Sequence, residues 1–337
     1  MAFLYLSLAA DKKIACYRID PGSGALEYLH DTPVPGEPSV QNNHPGRAVL
    51  YVAMRSTGQL LSFRVDPDSG RLSLLHTIDT GLEDPAYLRT DREGNFLLTP
   101  YYISAKVTVY PIAPDGAARE PASAVVETDL HAHGMEISPD NRFVFVPHTC
   151  PGNAVWQFEL RRGQLVPNRM PKVTFAEDLG PRHLHFHPEG HVLYADNEQG
   201  NSVTTFRFDA ERGTLRPEQT LSTLPPGYGE GAACARLELH PSGRFLYAAN
   251  RGHDSLAGFA VHPTTGLLRP IGHFRTEKTP RSFHLEPTGR FLYAAGQDAD
   301  RLTAYRIDPE SGALDKLFTC ETGRVPWWVQ TIEAKAQ

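Results

Sequence analysis

An arginine and a glutamate, Arg182 and Glu198, stand near the two ends of the stretch PRHLHFHPEGHVLYADNEQGN. Elsewhere in the chain are His133 in HAHG, Arg251 in NRGH, Arg281 in TPRS and Arg55 in AMRS. If a fold gathers these residues, they can do definite chemistry. A carboxylate or a neutral imidazole can move a proton to or from a reacting group. Guanidinium groups can hold an oxyanion as it forms, or grip a carboxylate or phosphate through paired N–H donors. The histidines raise a metal site as another possibility: His131 and His133 form H-x-H, and His183, His185 and His187 alternate along one strand-like run. Three such side chains spread over about 13 Å of strand, too far to share one ion at about 2 Å. A hydrogen-bonded packing role is expected for them instead, with no metal and no cofactor.

An internal repeat could gather residues so far apart. SGRFLYAANRGHDSLAGFAV (242–261) recurs as TGRFLYAAGQDADRLTAYRI (288–307), with weaker copies at 45–65, 93–112, 140–160 and 189–208 and a partial one at the start. The central positions are Tyr5, Tyr51, Leu98, Phe145, Tyr194, Tyr247 and Tyr293, roughly 46 to 53 residues apart, a spacing seen in propeller repeats. Each copy reads as alternating apolar runs separated by Gly/Asp/Asn turns, with no sustained helical period. The expectation is an all-β fold, a seven-bladed β-propeller of four-stranded antiparallel blades. RVPWWVQTIEA near the end supplies the strand missing before FLYLSL, so pairing of the C-terminal strand with the N-terminal blade should close the ring. The whole chain, 1–337, is read as one domain, and STLPPGYGEGAACA (222–235) as a segment able to overhang one face.

The repeat also places the reactive residues. Twelve positions before each centre lie Ser39, Ala86, His133, Arg182, Ala235 and Arg281, with Trp327 taking that place in the C-terminal strand. Four positions after each centre lie Ala9, Arg55, Tyr102, Thr149, Glu198, Arg251 and Gln297. If the two strands are antiparallel neighbours, both sets meet at one mouth of the central channel. Charges confined to a few blades then read as function added to a structural repeat. The plainer alternative is a rim of solvent-exposed ion pairs, each contributing about 0–1 kcal/mol.

Composition narrows the partners. The 337 residues carry a net charge of -6, which does not favour nucleic acid or an anionic membrane. The opening run MAFLYLSLAADKK is too short for a membrane span and reads as a strand. Four scattered cysteines (Cys16, Cys150, Cys234, Cys320) suit free thiols in a cytoplasmic setting, Cys150 and Cys234 being read as packing groups rather than nucleophiles. No marker of oligomeric state stands out. G-x-S-x-G, H-E-x-x-H, P-loop and G-x-G-x-x-G motifs are absent.

The segments HAHGMEISPDNRFVFVP, GPRHLHFHPEGHVLYADNEQGNS, RFLYAANRGHDSLAGF and TPRSFHLEPTGRFLYAAGQDAD resemble the seven-bladed lactonase family, which includes propeller-type 6-phosphogluconolactonases and carboxymuconate-lactonizing enzymes. The resemblance runs along essentially the whole chain. It implies a catalytic set of His133, Arg182, Glu198 and Arg251, all found independently in the two rings. Arg281, Arg55, Gln297, Tyr102 and Trp327 are expected to bind substrate. The implied reaction is opening of an anionic sugar-acid lactone, with Glu198 as general base and His133 protonating the leaving oxygen or sharing the base role. Two alternatives stay open: a 3-carboxymuconate cyclase using the same residues to close a lactone, and a non-enzymatic propeller that binds a ligand or a protein. The glycine of HAHGM leans to the muconate branch, whereas NRGHDS and the D-P-x-S-G-x-L turns lean to the sugar lactonases.

Overall fold

A computed structural model describes residues 1–176, 178–229 and 231–333. The last residues of the expected domain, 334–337, and position 230 of the 222–235 segment therefore lie outside the described residues. Seven sheets of four antiparallel strands follow one another around a ring, as the repeat predicts. In blades 2 to 7 the chain runs outward, from the strand lining the channel to the strand on the rim. Blade 1 is composite: its inner strand, Pro326–Glu333, comes from the far end of the chain and pairs antiparallel with Ala2–Leu8.

The second strand of each blade is buried on both faces, because each face meets a neighbouring blade. In blade 5 (second strand Val192–Asn197), Leu193 and Ala195 pack toward blade 4 while Tyr194 packs toward blade 6. Seven hydrophobic clusters result among the described residues, one at each junction between blades. Alternation in these strands thus sorts side chains between two neighbours rather than between core and water.

The tyrosines at the repeat centres tie the blades together. Tyr5, Tyr51, Tyr194 and Tyr247 donate their hydroxyls to the carbonyls of Gly70, Gly116, Gly266 and Gly312, each in a turn of the following blade. Tyr293 of blade 7 donates to Gly24 of blade 1 at 2.9 Å and so repeats the tie across the closing junction. These turns, the D-P-x-S-G and related motifs, need the glycine: Gly24 has φ +75, and a Cβ there would lie 2.5 Å from the Phe291 ring.

Tyr293→Phe should therefore lower stability by about 1 kcal/mol, the net worth of one hydrogen bond. Gly24→Ala should cost more, because it adds a clash to a left-handed turn. Urea unfolding of both variants checks this; wild-type stability in Gly24→Ala would show that the turn does not hold the junction.

Candidate active site

An extra residue in each inner strand builds the site. In blade 5 Pro181 pairs with Asn197 and His183 with Asp196, which leaves Arg182 unpaired between them. Blade 7 does the same around Arg281, between the Pro280–Gly296 and Ser282–Ala295 pairs. In blade 1 Trp327 is the extra residue, between Pro326 and Trp328. Blades 2 and 6 shift register over Ser39–Val40 and Ala235–Arg236. Blades 3 and 4 gain one residue between an isolated bridge and the ladder, around Ala86 and His133. A bulge turns its extra side chain out of the pleat. Repeated at one level of the ring, it aims a side chain from each blade at the channel mouth.

There the cavity, about 200 Å³, is lined by Ser39, Arg55, Asp84, Tyr102, His133, Arg182, Glu198, Arg251, Arg281, Trp327 and Trp328, among others. Glu198 is held on both sides. Arg182 Nε donates to Oε2 at 2.9 Å, and Arg251 Nη2 donates to Oε1 at 2.7 Å and to the Cys234 carbonyl at 2.9 Å. Arg182 is only 2% exposed, so this is no rim ion pair. Burial opposes ionisation of Glu198, but Arg182 and Arg251 outweigh it and hold the carboxyl below its usual range. Removing one partner of such a pair leaves a buried charge uncompensated, at a cost of about 3–5 kcal/mol.

Across the cavity, Arg281 lies over the Trp327 ring at 3.8 Å and Arg55 lies over the same ring at 4.9 Å. Arg55 Nη2 also donates to Asp84 Oδ2 at 2.9 Å. Arg281 makes no ion pair among the described residues. Burial, then Arg182, Arg251 and Arg55, press its guanidinium well below its usual pKa. Four arginines thus line the cavity against two carboxylates, Glu198 and Asp84.

His133 sits between the two sides, edge-on to Tyr102 and to His183. Its Nδ1 is buried without a hydrogen-bond partner among the described residues. Burial first, and then the arginines and His183, keep its pKa well below the ordinary imidazole value, so the ring is neutral at pH 7. The neighbouring glycine has a packing reason: a Cβ on Gly134 would lie 2.4 Å from the Arg182 carbonyl oxygen.

Of the residues expected from the sequence, Glu198, His133, Arg182, Arg251, Arg281, Arg55, Tyr102 and Trp327 meet in this one cavity. Gln297 does not line it; it occupies the matching place in blade 7, but its amide donates to Asp298. The alternating histidines separate. His183 turns into the channel against His133 and Trp328, His185 contacts the Phe186 carbonyl, and His187 meets the Gly243 carbonyl of the next blade. Among the described residues no group of three or more His, Cys, Asp or Glu is arranged to hold a metal ion. Cys234 is buried and its thiol is pushed up to about 12, first by burial, which suits a packing group.

Four lining residues escape the ring positions, Val40, Asp84, Pro85 and Trp328. Trp328 follows the bulge and stacks under Arg236, 3.7 Å from its ring centre, in a second tier of the channel where Arg236 pairs with Glu238 and Arg89 with Glu136. Asp84 precedes Pro85 in a left-handed conformation (φ 58), a geometry shared by Thr279 before Pro280 and Val325 before Pro326. The recurring X-Pro at the head of the inner strands was the available signal for Asp84, which lines the mouth.

The chain has relatives of known name. A 6-phosphogluconolactonase of Pectobacterium carotovorum is 34% identical over 202 residues, 60% of each chain, so the match spans less than two thirds of that protein's length. A 6-phosphogluconolactonase of an Enterobacter species is 30% identical over 84% of this chain and 71% of its own. Among solved structures, the periplasmic gluconolactonase of Pseudomonas aeruginosa superposes with a TM-score of 0.91 at 27% identity, covering 99% of this chain and 100% of that one. No helix among the described residues is long and apolar enough to cross a membrane. With the family model for "Lactonase, 7-bladed beta-propeller" matching residues 3–331, the chain belongs to that family.

Proposed function

We propose that the protein hydrolyses an anionic sugar-acid lactone, with 6-phosphogluconolactone as the substrate that suits the cavity best. The observation that carries this reading is the imbalance of charge around a neutral histidine: four lining arginines, two carboxylates and an imidazole with an unpartnered nitrogen. A phosphate brings about −1.5 to −2 charges, enough to offset the excess. The names of the relatives support the same substrate class. The free thiols of all four cysteines fit a reducing compartment, in line with a cytoplasmic enzyme.

The roles follow from geometry. Arg281, without an ion pair among the described residues and laid on Trp327, takes the distal anion, helped by Arg55. Arg182 and Arg251 face the reacting carbonyl. Both Glu198 oxygens are engaged by these two arginines, and its lowered pKa makes it a weak base. Its role becomes alignment, and the base role expected for it moves to His133. His133 takes a proton from water as the water oxygen bonds to the lactone carbonyl carbon, and the carbonyl electron pair moves onto oxygen, where the arginines hold it. Collapse breaks the bond to the ring oxygen, which leaves with the proton from His133. The acid so formed loses its proton to solvent. Burial first, and the arginines after it, suppress the basicity of His133; a bound anion offsets the arginines' share and raises the proton affinity of the imidazole.

Purified protein should therefore hydrolyse 6-phosphogluconolactone faster than unphosphorylated gluconolactone, and 3-carboxymuconate should not be cyclised. Muconate turnover without lactone hydrolysis would overturn the assignment. His133→Asn should lower kcat by roughly 10²- to 10⁴-fold, the usual worth of a general base. Arg281→Met should raise KM for the phosphorylated lactone by roughly 10- to 100-fold, the worth of charge-assisted hydrogen bonds, and leave the unphosphorylated one nearly unchanged. An equal loss on both substrates would place Arg281 at the reacting carbonyl instead.

A further inference from the structure

Asp196 belongs to the second strand of blade 5, two residues before Glu198, and no role has yet been given to it. It is 0% exposed. Its Oδ1 accepts the backbone N–H of His183 at 2.7 Å, and its Oδ2 is buried without a hydrogen-bond partner among the described residues. A carboxylate in such a place is costly. The residues at the matching position of the other blades are Ser7, Ala53, Pro100, Pro147, Ala249 and Ala295, none of them ionisable. The fold therefore does not need a carboxylate there.

Blade 5 differs in what its bulge must hold. The bulge takes Arg182 out of the ladder, and Asp196 receives the N–H of the next residue. The peptide between Arg182 and His183 is thus gripped on one side by Asp196. On the other, Gly134 lets blade 4 press against the Arg182 carbonyl with no Cβ between them. The His183 ring in turn lies 3.1 Å, Nδ1 to Nη1, from the Arg182 guanidinium. Blade 7 has the same bulge with alanine opposite. There Arg281 makes no ion pair among the described residues and rests on Trp327.

We propose that Asp196 is a positioning residue for the lactonase reaction: by fixing the Arg182–His183 peptide from behind, it aims Arg182 at Glu198 and the reacting carbonyl. The catalytic part of this role rests on the lactonase reading above. Asp196 touches no substrate; it acts through His183 and Arg182.

The same placement makes the site sensitive to pH. Arg182 and His183 on the inner strand, Glu198 on its own strand and Cys234 on the inner strand of blade 6 are the titratable groups around Asp196. His183 stays neutral, its pKa lowered chiefly by burial, and the Cys234 thiol is pushed up, so neither changes charge near neutral pH. Burial raises the Asp196 carboxyl to about 6 against the pull of Arg182. Above that pH it is a carboxylate and the grip on His183 is charge-assisted; as pH falls through it, the carboxyl takes up a proton and the grip weakens.

The test uses Asp196→Ala and Asp196→Asn in the full chain, with two readouts. One is kcat/KM for 6-phosphogluconolactone between pH 5.5 and 8. The other is the Arg182 Nε–H resonance in arginine-labelled protein, assigned with Arg182→Lys, which reports the Glu198 hydrogen bond without turnover. Asp196→Ala should lose roughly 10- to 100-fold in kcat/KM, the scale expected when a reacting group is misplaced by about 1 Å, and its Arg182 resonance should move. Asp196→Asn keeps an acceptor for His183, so it should recover most of the activity while losing the inflection near pH 6. Full activity and an unmoved resonance in Asp196→Ala would overturn the proposal. If that variant does not fold, an inflection retained in the resonance of Asp196→Asn would do so. Wild-type protein that fails to hydrolyse the lactone would overturn the lactonase reading instead, and the resonance would still decide whether Asp196 positions Arg182.

Discussion

One extra residue in each inner strand is the constraint on which the site depends. A regular ladder would alternate the inner side chains between the two neighbouring blades, and none would be aimed at the channel mouth. The bulge breaks this alternation once per blade, at one height in the ring. Arg182, Arg281 and Trp327 are all products of that break, and the ends of the second strands bring Glu198, Arg251 and Arg55 to the same level. The blades therefore supply positions, and the residue types at those positions supply the chemistry.

Those positions are filled asymmetrically. Arg182 and Arg251 share Glu198, so two buried cations are held by one carboxylate. Arg55 has Asp84, while Arg281, without an ion pair among the described residues, rests on an aromatic face, a contact of about 0.5–2 kcal/mol. The cavity is thus poorly satisfied on the Trp327 side and well satisfied on the Glu198 side. A ligand with a strong anion at one end and a weakly charged carbonyl at the other matches that gradient. A neutral ligand would leave Arg281 as it is.

Much of this was legible in the sequence, for a physical reason. A propeller repeats its geometry, so equal spacing from the repeat centre means equal height in the ring, and eight of the nine expected site residues reach one cavity. What spacing could not carry was direction. His183, His185 and His187 alternate in sequence, yet the bulge and the strand end send them to three different surroundings. Gln297 has the right height and turns away to Asp298. Asp84 was missed because it lies in the left-handed X-Pro corner, two residues before the ring position. The sequence sets Glu198 at the mouth and expects it to act as a base; spacing does not reveal that two arginines take both its oxygens, which is what the alignment role proposed above rests on.

The low proton affinities of His133 and Arg281 share two causes, burial first and the field of the neighbouring arginines second. To the cost of burial the neighbouring arginines add a repulsion that further disfavours the protonated His133 imidazole and the Arg281 guanidinium. Both penalties shrink when an anion enters. On the proposed reading the substrate does more than occupy the cavity: its charge offsets the arginine field at Arg281 and at His133, while the burial of the imidazole remains. A lactone lacking the distal anion would meet a site whose base is still suppressed. Discrimination between phosphorylated and plain sugar lactones would on this account appear in kcat as well as in KM, without any added contact at the reacting carbon.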